Sequence, residues 1–317
     1  MACFERDIAG GLGFHRAAVV QYMRPEIIGF VLGSLIAAYA FKEFLARTCS
    51  APIVRFALGT FAMIRSLVFL GCPWRAMLRL AGGDGNAIFG LLGLTVGIWV
   101  GTLFLKSGYN LGRSQKTHTS VGWLLPLAML GFLVLRFIFP QVEGQDKNGT
   151  LFYSLKGPGS MHAPLFVSLL IGLCIGFLAQ RSRFCTMGAI RDFVLFKHTH
   201  LLSGVIALTI FAFITNLILG QFHHGFAKQP VAYKMSLWNF GGMVLAGLAF
   251  CLAGGCPGRQ LFLTGEGDGD VAIFVIGIIV EAGISHNFGI ASSPDGVGPY
   301  GIHNEKRICL KRRDENE

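Results

Sequence analysis

The chain has 317 residues, a formal net charge of +10 and a mean hydropathy of +0.58, with 53% hydrophobic and 14% charged residues. A soluble chain draws roughly a quarter of its residues from Asp, Glu, Lys and Arg to cover its surface, so a water-soluble globular fold is excluded. The basic excess fits the Lys/Arg-rich flanks of membrane segments and needs no nucleic acid to explain it.

Met1 to Glu26 is polar at first, and MACFERDIAG has no apolar core of the kind a cleavable signal carries. The first span is expected from Ile27 to about Leu45, and a second from about Phe56 to Leu70. Pro73 is pre-set for the first turn of a helix, so a short one is expected over Trp74 to Leu80. Gly82 to Gly85 turns the chain, and Asn86 is placed to cap a third span, Ala87 to about Leu105. The fourth runs from Val121 to Phe139, the fifth from Pro164 to about Ala179, and the sixth from Leu201 to about Leu219. The seventh covers Leu237 to Leu252, and the eighth Val271 to about Ala282. Runs of this length can cross a hydrocarbon core about 30 Å thick.

One stretch occurs twice. Gly71 to Gly85 reads GCPWRAMLRLAGGDG and Gly255 to Gly269 reads GCPGRQLFLTGEGDG. Each copy closes one apolar segment and opens the next. Aligning them pairs the second span with the seventh, the third with the eighth and the first with the sixth. The Cys3–Asp7 region then falls against Cys185–Asp192, with a three-residue offset. Mates are an odd number of crossings apart, so the halves are expected upside down relative to each other. The fourth and fifth spans lack mates, and a full five-plus-five molecule would carry one more helix at each end. The expected architecture is all-α integral membrane, about eight apolar spans plus short broken or re-entrant helices in two inverted repeats, incomplete at both ends. The first repeat is 1–139, a linker 140–163, the second repeat 164–303, and a charged tail 304–317.

The chemistry is expected at the two breaks. Cys72 and Cys256 each precede a proline-started helix, where free backbone N–H groups favour a thiolate or an anion. Arg75 and Arg259 lie one turn further on. Cys3 and Cys185 are each followed by an Arg-Asp pair, and Arg181 and Arg183 stand just before Cys185. Four thiols along a membrane path suit a soft, sulfur- or selenium-like solute. Pro73, Pro257, Gly83, Asp84, Gly267 and Asp268 shape the turns; the two aspartates cap the following helices or pair with Arg75 and Arg259. The eight cysteines show no CxxC spacing, and His198, His200, His223 and His224 read as loop histidines, so no metal site is expected. No Walker A or dinucleotide fingerprint is present, and no cofactor is expected.

At ACFERDIAG, GCPWRAMLRLAGGDGNA, AQRSRFCTMGAIRDF, ITNLILGQF and LAGGCPGRQLFLTGEGD the chain resembles the YeeE/YedE family of sulfur-compound transport proteins. It looks most like the branch described as YedE-like selenium transporters. The resemblance implies a compact multi-helix permease of the cytoplasmic (inner) membrane, with short helices meeting near its centre. It also implies that Cys72, Cys185 and Cys256, with Cys3, hand the solute on through S–H to sulfur contacts. The expected function is a permease importing a small sulfur- or selenium-containing solute, not an enzyme. A small soluble sulfur carrier is a candidate partner beside the lipid bilayer. Two alternatives stay open: a membrane thiol oxidoreductase, and a membrane subunit delivering sulfur or selenium to a carrier protein.

Overall fold

The computed structural model describes residues 1–142, 144–226, 229 and 235–292; the charged tail 304–317 lies outside them. They form twelve helices and two small antiparallel ribbons. The helices are α1 (Ala2–Gly11), α2 (Pro25–Ala40), α3 (Pro52–Phe69), α4 (Pro73–Ala81), α5 (Asn86–Lys106) and α6 (Thr119–Ile138), followed by α7 (Leu165–Ser182), α8 (Thr186–Phe196), α9 (His200–Ile218), α10 (Ser236–Ala253), α11 (Pro257–Gly265) and α12 (Gly269–Asn287). Strands β1 (Arg47–Thr48) and β2 (Gln115–Lys116) pair, as do β3 (Lys147–Asn148) and β4 (Leu151–Phe152). Among the described residues seven helical segments are long and apolar enough to cross a membrane, and α2 is a shorter apolar eighth. This is an all-α membrane protein.

The breaks form as the residues dictate. Leu70 and Gly254 close α3 and α10 in the left-handed region, at φ 57° and 84°. Cys72 and Cys256 then run extended as N-caps, and Pro73 and Pro257 start nine-residue helices. Gly83 (φ 94°) and Gly267 (φ 96°) turn the chain out of them, a backbone state that favours glycine. The sequence repeat is therefore a repeat of backbone conformation.

Packing obeys the same relation. The chief neighbours are α5 with α10, α2 with α7 and α3 with α12, and the first and last of these pair the two halves reciprocally. A Cβ on Gly93 of α5 would strike the carbonyl oxygen of Phe240 in α10, and one on Gly277 of α12 would strike that of Phe56 in α3. Gly93 and Gly277 stand at the same separation as Cys72 and Cys256, and so do Phe56 and Phe240. The links after α2 and α9 match as well. Leu45 N donates to Glu266 O at 2.9 Å and Arg47 N to Gly267 O at 3.3 Å, while His223 N donates to Gly82 O at 3.0 Å and Gly225 N to Gly83 O at 3.1 Å. Close helix contact through small residues is how membrane helices associate where lipid offers no hydrophobic gain.

Several expectations need correction. The polar start is a buried helix, α1, whose Glu5, Arg6 and Asp7 are all shielded. Asp7 repays that burial by pairing with Arg6 at 2.8 Å and Arg24 at 2.6 Å. The first span ends at Ala40, because Lys42 turns left-handed (φ 57°) and the chain leaves to join β1. Asn86 does not cap α5; it is the helix's first residue, and Asp84 Oδ1 accepts its N–H at 2.9 Å. Within the link between α6 and α7, Leu151 and Tyr153 are buried and Ser154 Oγ accepts from Gln21 N at 2.7 Å.

Candidate functional site

The two breaks meet. Trp74, at the start of α4, packs over Gly258 at the start of α11, where an added Cβ would lie 3.3 Å from its ring. Cys72, Cys185 and Cys256 share one buried cluster with Phe69, Phe250 and Phe274. The Cys185 thiol reaches Cys256 Sγ at 3.8 Å and accepts from Gly188 N at 3.2 Å, so it caps α8 with sulfur. In the first half the Met1 nitrogen lies 3.2 Å from Cys72 Sγ. Met1 and Cys72 stand at the same spacing as Cys185 and Cys256. Cys185 thus corresponds to Met1, and the expected match of Cys185 with Cys3 does not hold in the helix register: Cys185 precedes α8 while Cys3 lies inside α1. All four thiols are buried.

Beside this centre lies a cavity of about 580 Å³, walled by Cys3, Trp74, Arg75, Arg79, Asn216 and His223 among others. Trp74, Arg75 and Arg79 line it, and each keeps one buried N–H group (Nε1, Nε and Nη2) without a hydrogen-bond partner among the described residues. Buried polar groups of folded proteins are ordinarily paired. The wall thus brings two guanidinium groups together, Arg79 paired with the Asp84 carboxylate and Arg75 without an ion-pair partner among the described residues, and a guanidinium is a group that binds anions.

The aspartates of the GDG turns bind arginines other than the expected ones. Asp84 accepts from Arg79 Nε at 2.7 Å and Asp268 from Arg47 Nε at 2.7 Å, not from Arg75 or Arg259. The reason is reach: Arg79 sits at the end of α4, next to the turn, whereas Arg75 lies at its start, by the thiols. Asp268 also caps α12, accepting from Asp270 N and Val271 N. Arg259 stacks on the Phe262 ring at 5.1 Å and keeps Nη1 without a partner among the described residues.

Arg181 and Arg183 are engaged. Glu43 accepts from Gln180 at 2.6 Å, Arg183 at 2.7 Å and Arg181 at 3.1 Å, and Arg183 also donates to Glu266 at 2.5 Å. The Gln180 amide, then Arg183 and Arg181, hold the Glu43 carboxyl below the usual carboxylate range. The sequence reading passed over Glu43 and Glu266; their only signal was that each falls beside a repeat position that is neutral in the other half. It also passed over Glu5. Both its oxygens are buried without a partner among the described residues, and burial pushes its carboxyl up to about 8.

Residues 181–299, which include α8 and the second break, match the family model described as Sulphur transport. A 103-residue stretch is 30% identical to the thiosulfate transporter TsuA of Spirochaeta thermophila, covering 32% of this chain and 31% of that protein. Over these residues the chain is similar to the sulphur-transport family. A 103-residue stretch is also 32% identical to the inner membrane protein YccS of Escherichia coli, covering 30% of the chain and 14% of that protein. The sulphur-transport match falls on one half of this chain, and the first half supplies its repeat. The chain thus spans less than a third of either curated relative.

Proposed function

We propose that this chain moves a small sulfur-containing anion, of the thiosulfate type, across the inner membrane through the point where the two breaks meet. The observation that carries the reading is the cavity beside the thiols, lined by Cys3, Trp74, Arg75 and Arg79, the last three of which keep an N–H group without a partner among the described residues. A polar, cationic chamber inside a membrane protein marks a solute path. The anion enters the cavity, loses water to those donors and meets Cys3. It then passes between the helix ends where Cys72, Cys256 and Cys185 lie, and leaves toward Arg259, Arg181 and Arg183. Thiols suit this narrow stage because sulfur is a soft contact for a sulfur atom, and helix N-termini there favour negative charge without a bound cation. The two repeats are taken as inverted, which sets the path near the bilayer midplane and gives it two equivalent mouths. A selenium anion fits the same chemistry, and a soluble sulfur carrier is the kind of partner that would receive the solute.

Uptake into proteoliposomes tests this. Labelled thiosulfate should accumulate, sulfate should not, and selenite reports on the selenium variant. Cys72→Ala and Cys256→Ala should each slow uptake about tenfold or more. Unchanged uptake in both variants, singly and together, in folded protein would discard the cysteine path.

A further inference from the structure

The repeat relation predicts a second cavity, and the structure fills it. Carrying the wall of the open cavity to the other half by the spacing of the breaks takes Arg75 to Arg259, Gly82 to Glu266 and Asp84 to Asp268. The link after α9 lies against its break as the link after α2 does: His223 N bonds Gly82 O where Leu45 N bonds Glu266 O. Gln221, on the open wall, therefore corresponds to Glu43. Two neutral positions of one vestibule are thus two carboxylates in the other. Both carboxylates are held by Arg183, at 2.7 Å and 2.5 Å, and Arg181 and Gln180 complete the cluster. The cluster stands where the mirror cavity would be, next to Cys185, two residues from Arg183.

We propose that Glu43 and Glu266, clamped on Arg183, form an ionic gate that closes the second vestibule while the first stands open. The gate rests on reading the central path as an anion conduit. Glu43 occupies the basic groups that a passing anion would need, so it acts as a tethered anion. A solute arriving at Cys185 and Arg259 competes with it for Arg181 and Arg183, and its exchange with the carboxylates opens the mouth. The cluster is suited to release. The Arg183 side chain is 43% exposed and that of Glu43 32%, against 8% for Glu266, so the Glu43 pairs are the ones that contribute little each and weaken in salt. At the open mouth the positions of the two clamping carboxylates are Gly82 and Gln221, and the acidic wall residue Asp84 is paired with Arg79 instead.

The test is the reaction rate of Cys185 with N-ethylmaleimide in the purified full chain, read cysteine by cysteine by peptide mass spectrometry. Glu43→Gln and Glu266→Gln should each speed labelling of Cys185 about threefold to tenfold, the range expected for losing pairs of this exposure. Cys3, at the other mouth, should stay within about twofold, since its wall contains neither carboxylate. Raising the salt concentration should speed Cys185 in the unaltered protein and leave Glu43→Gln/Glu266→Gln little changed, a readout that needs no variant to fold differently. Unchanged Cys185 labelling in both variants overturns the gate, and so does equal acceleration of Cys3, which would mean general loosening. Thiosulfate uptake separates the two proposals. Uptake that depends on Cys72 with indifferent Cys185 labelling removes the gate and keeps the path. A carboxylate-dependent Cys185 with uptake that ignores Cys72 and Cys256 keeps the closure and removes the path.

Discussion

Asp84 and Asp268 hold the same place in the repeat yet should tolerate the same substitution very differently. Asp84 pairs with Arg79 at side-chain exposures of 4% and 7%, whereas the Arg47 partner of Asp268 is 35% exposed. Asparagine keeps an oxygen for the turn's N–H groups and removes only the charge. Asp84→Asn therefore strands a buried guanidinium. Breaking one side of a buried pair costs about 3–5 kcal/mol; water in the adjoining cavity and the Phe69 carbonyl, which accepts from Arg79 Nη1 at 2.9 Å, put this case near the lower end. Asp268→Asn loses a partly exposed pair, worth about 0–1 kcal/mol. The difference should be about 2–3 kcal/mol in an SDS unfolding titration followed by circular dichroism. The second repeat suggests the rescue, because Leu263 occupies the position that Arg79 holds in the first. Arg79→Leu added to Asp84→Asn should recover most of the loss, as apolar replacement of a buried pair commonly does. Equal losses at the two aspartates, or no recovery in the double variant, would refute this assignment of burial and partner.

Three further outcomes follow from the same geometry. Gly97→Ala should destabilise by about 1–3 kcal/mol in that titration, since its Cβ would collide with the Val244 carbonyl of α10, while Gly131→Ala, with open space around it, should stabilise by about 0.5–1 kcal/mol. Burial raises the Glu5 carboxyl from 4.5 to about 8, so the folded state holds a proton that the unfolded chain releases. Stability should then fall as pH rises from about 4.5 to about 8, and Glu5→Gln should flatten that slope; a slope that survives the substitution belongs to another group. Acid-quenched alkylation should recover Cys185 and Cys256 as free thiols during uptake, because their sulfurs stand 3.8 Å apart against the roughly 2 Å of a disulfide. A disulfide that forms and reopens with turnover would instead favour redox chemistry.

Much of the bundle was legible because its strongest signals are local. Apolar runs of membrane length, proline after cysteine and glycine in GDG each dictate backbone without help from elsewhere. The two breaks were therefore placed to within a residue or two, and the reciprocal packing of α3 with α12 and α5 with α10 follows their pairing. What escaped depends on partners far away in sequence. The α1 segment looks polar because its charges are Glu5, Arg6 and Asp7, yet Asp7 is neutralised by Arg24, an arginine that sequence alone assigns to a flank. Arg181 and Arg183 looked free for an anion because Glu43 lies about 140 residues away. The Cys3–Cys185 match failed because shared Arg-Asp dipeptides outweighed helix register, and only the position of the N-caps reveals the slip.

The departures from symmetry bear on function more directly than the symmetry does. Cys72 and Cys256 agree, as do Arg75 and Arg259, Pro73 and Pro257, and Asp84 and Asp268. On the proposed path the cysteines, prolines and arginines among them would present the same chemistry to a solute from either side. The halves differ at the rim: Gly82 against Glu266, Gln221 against Glu43, Arg79 against Leu263. Those differences sit on a shared backbone connection, since two backbone hydrogen bonds recur at both rims. A pair of identical rims would give the two mouths equal affinity for the solute. Placing donors without partners at one mouth and a self-neutralised ion cluster at the other makes the mouths unequal, so capture and release are separate events. An anion bound in the open cavity gains N–H partners that nothing else occupies, whereas at the far mouth it must displace a carboxylate and is held less tightly. On the proposed path that inequality sets different rates of capture and release at the two mouths, and it resides in three pairs of side chains laid over one repeated backbone.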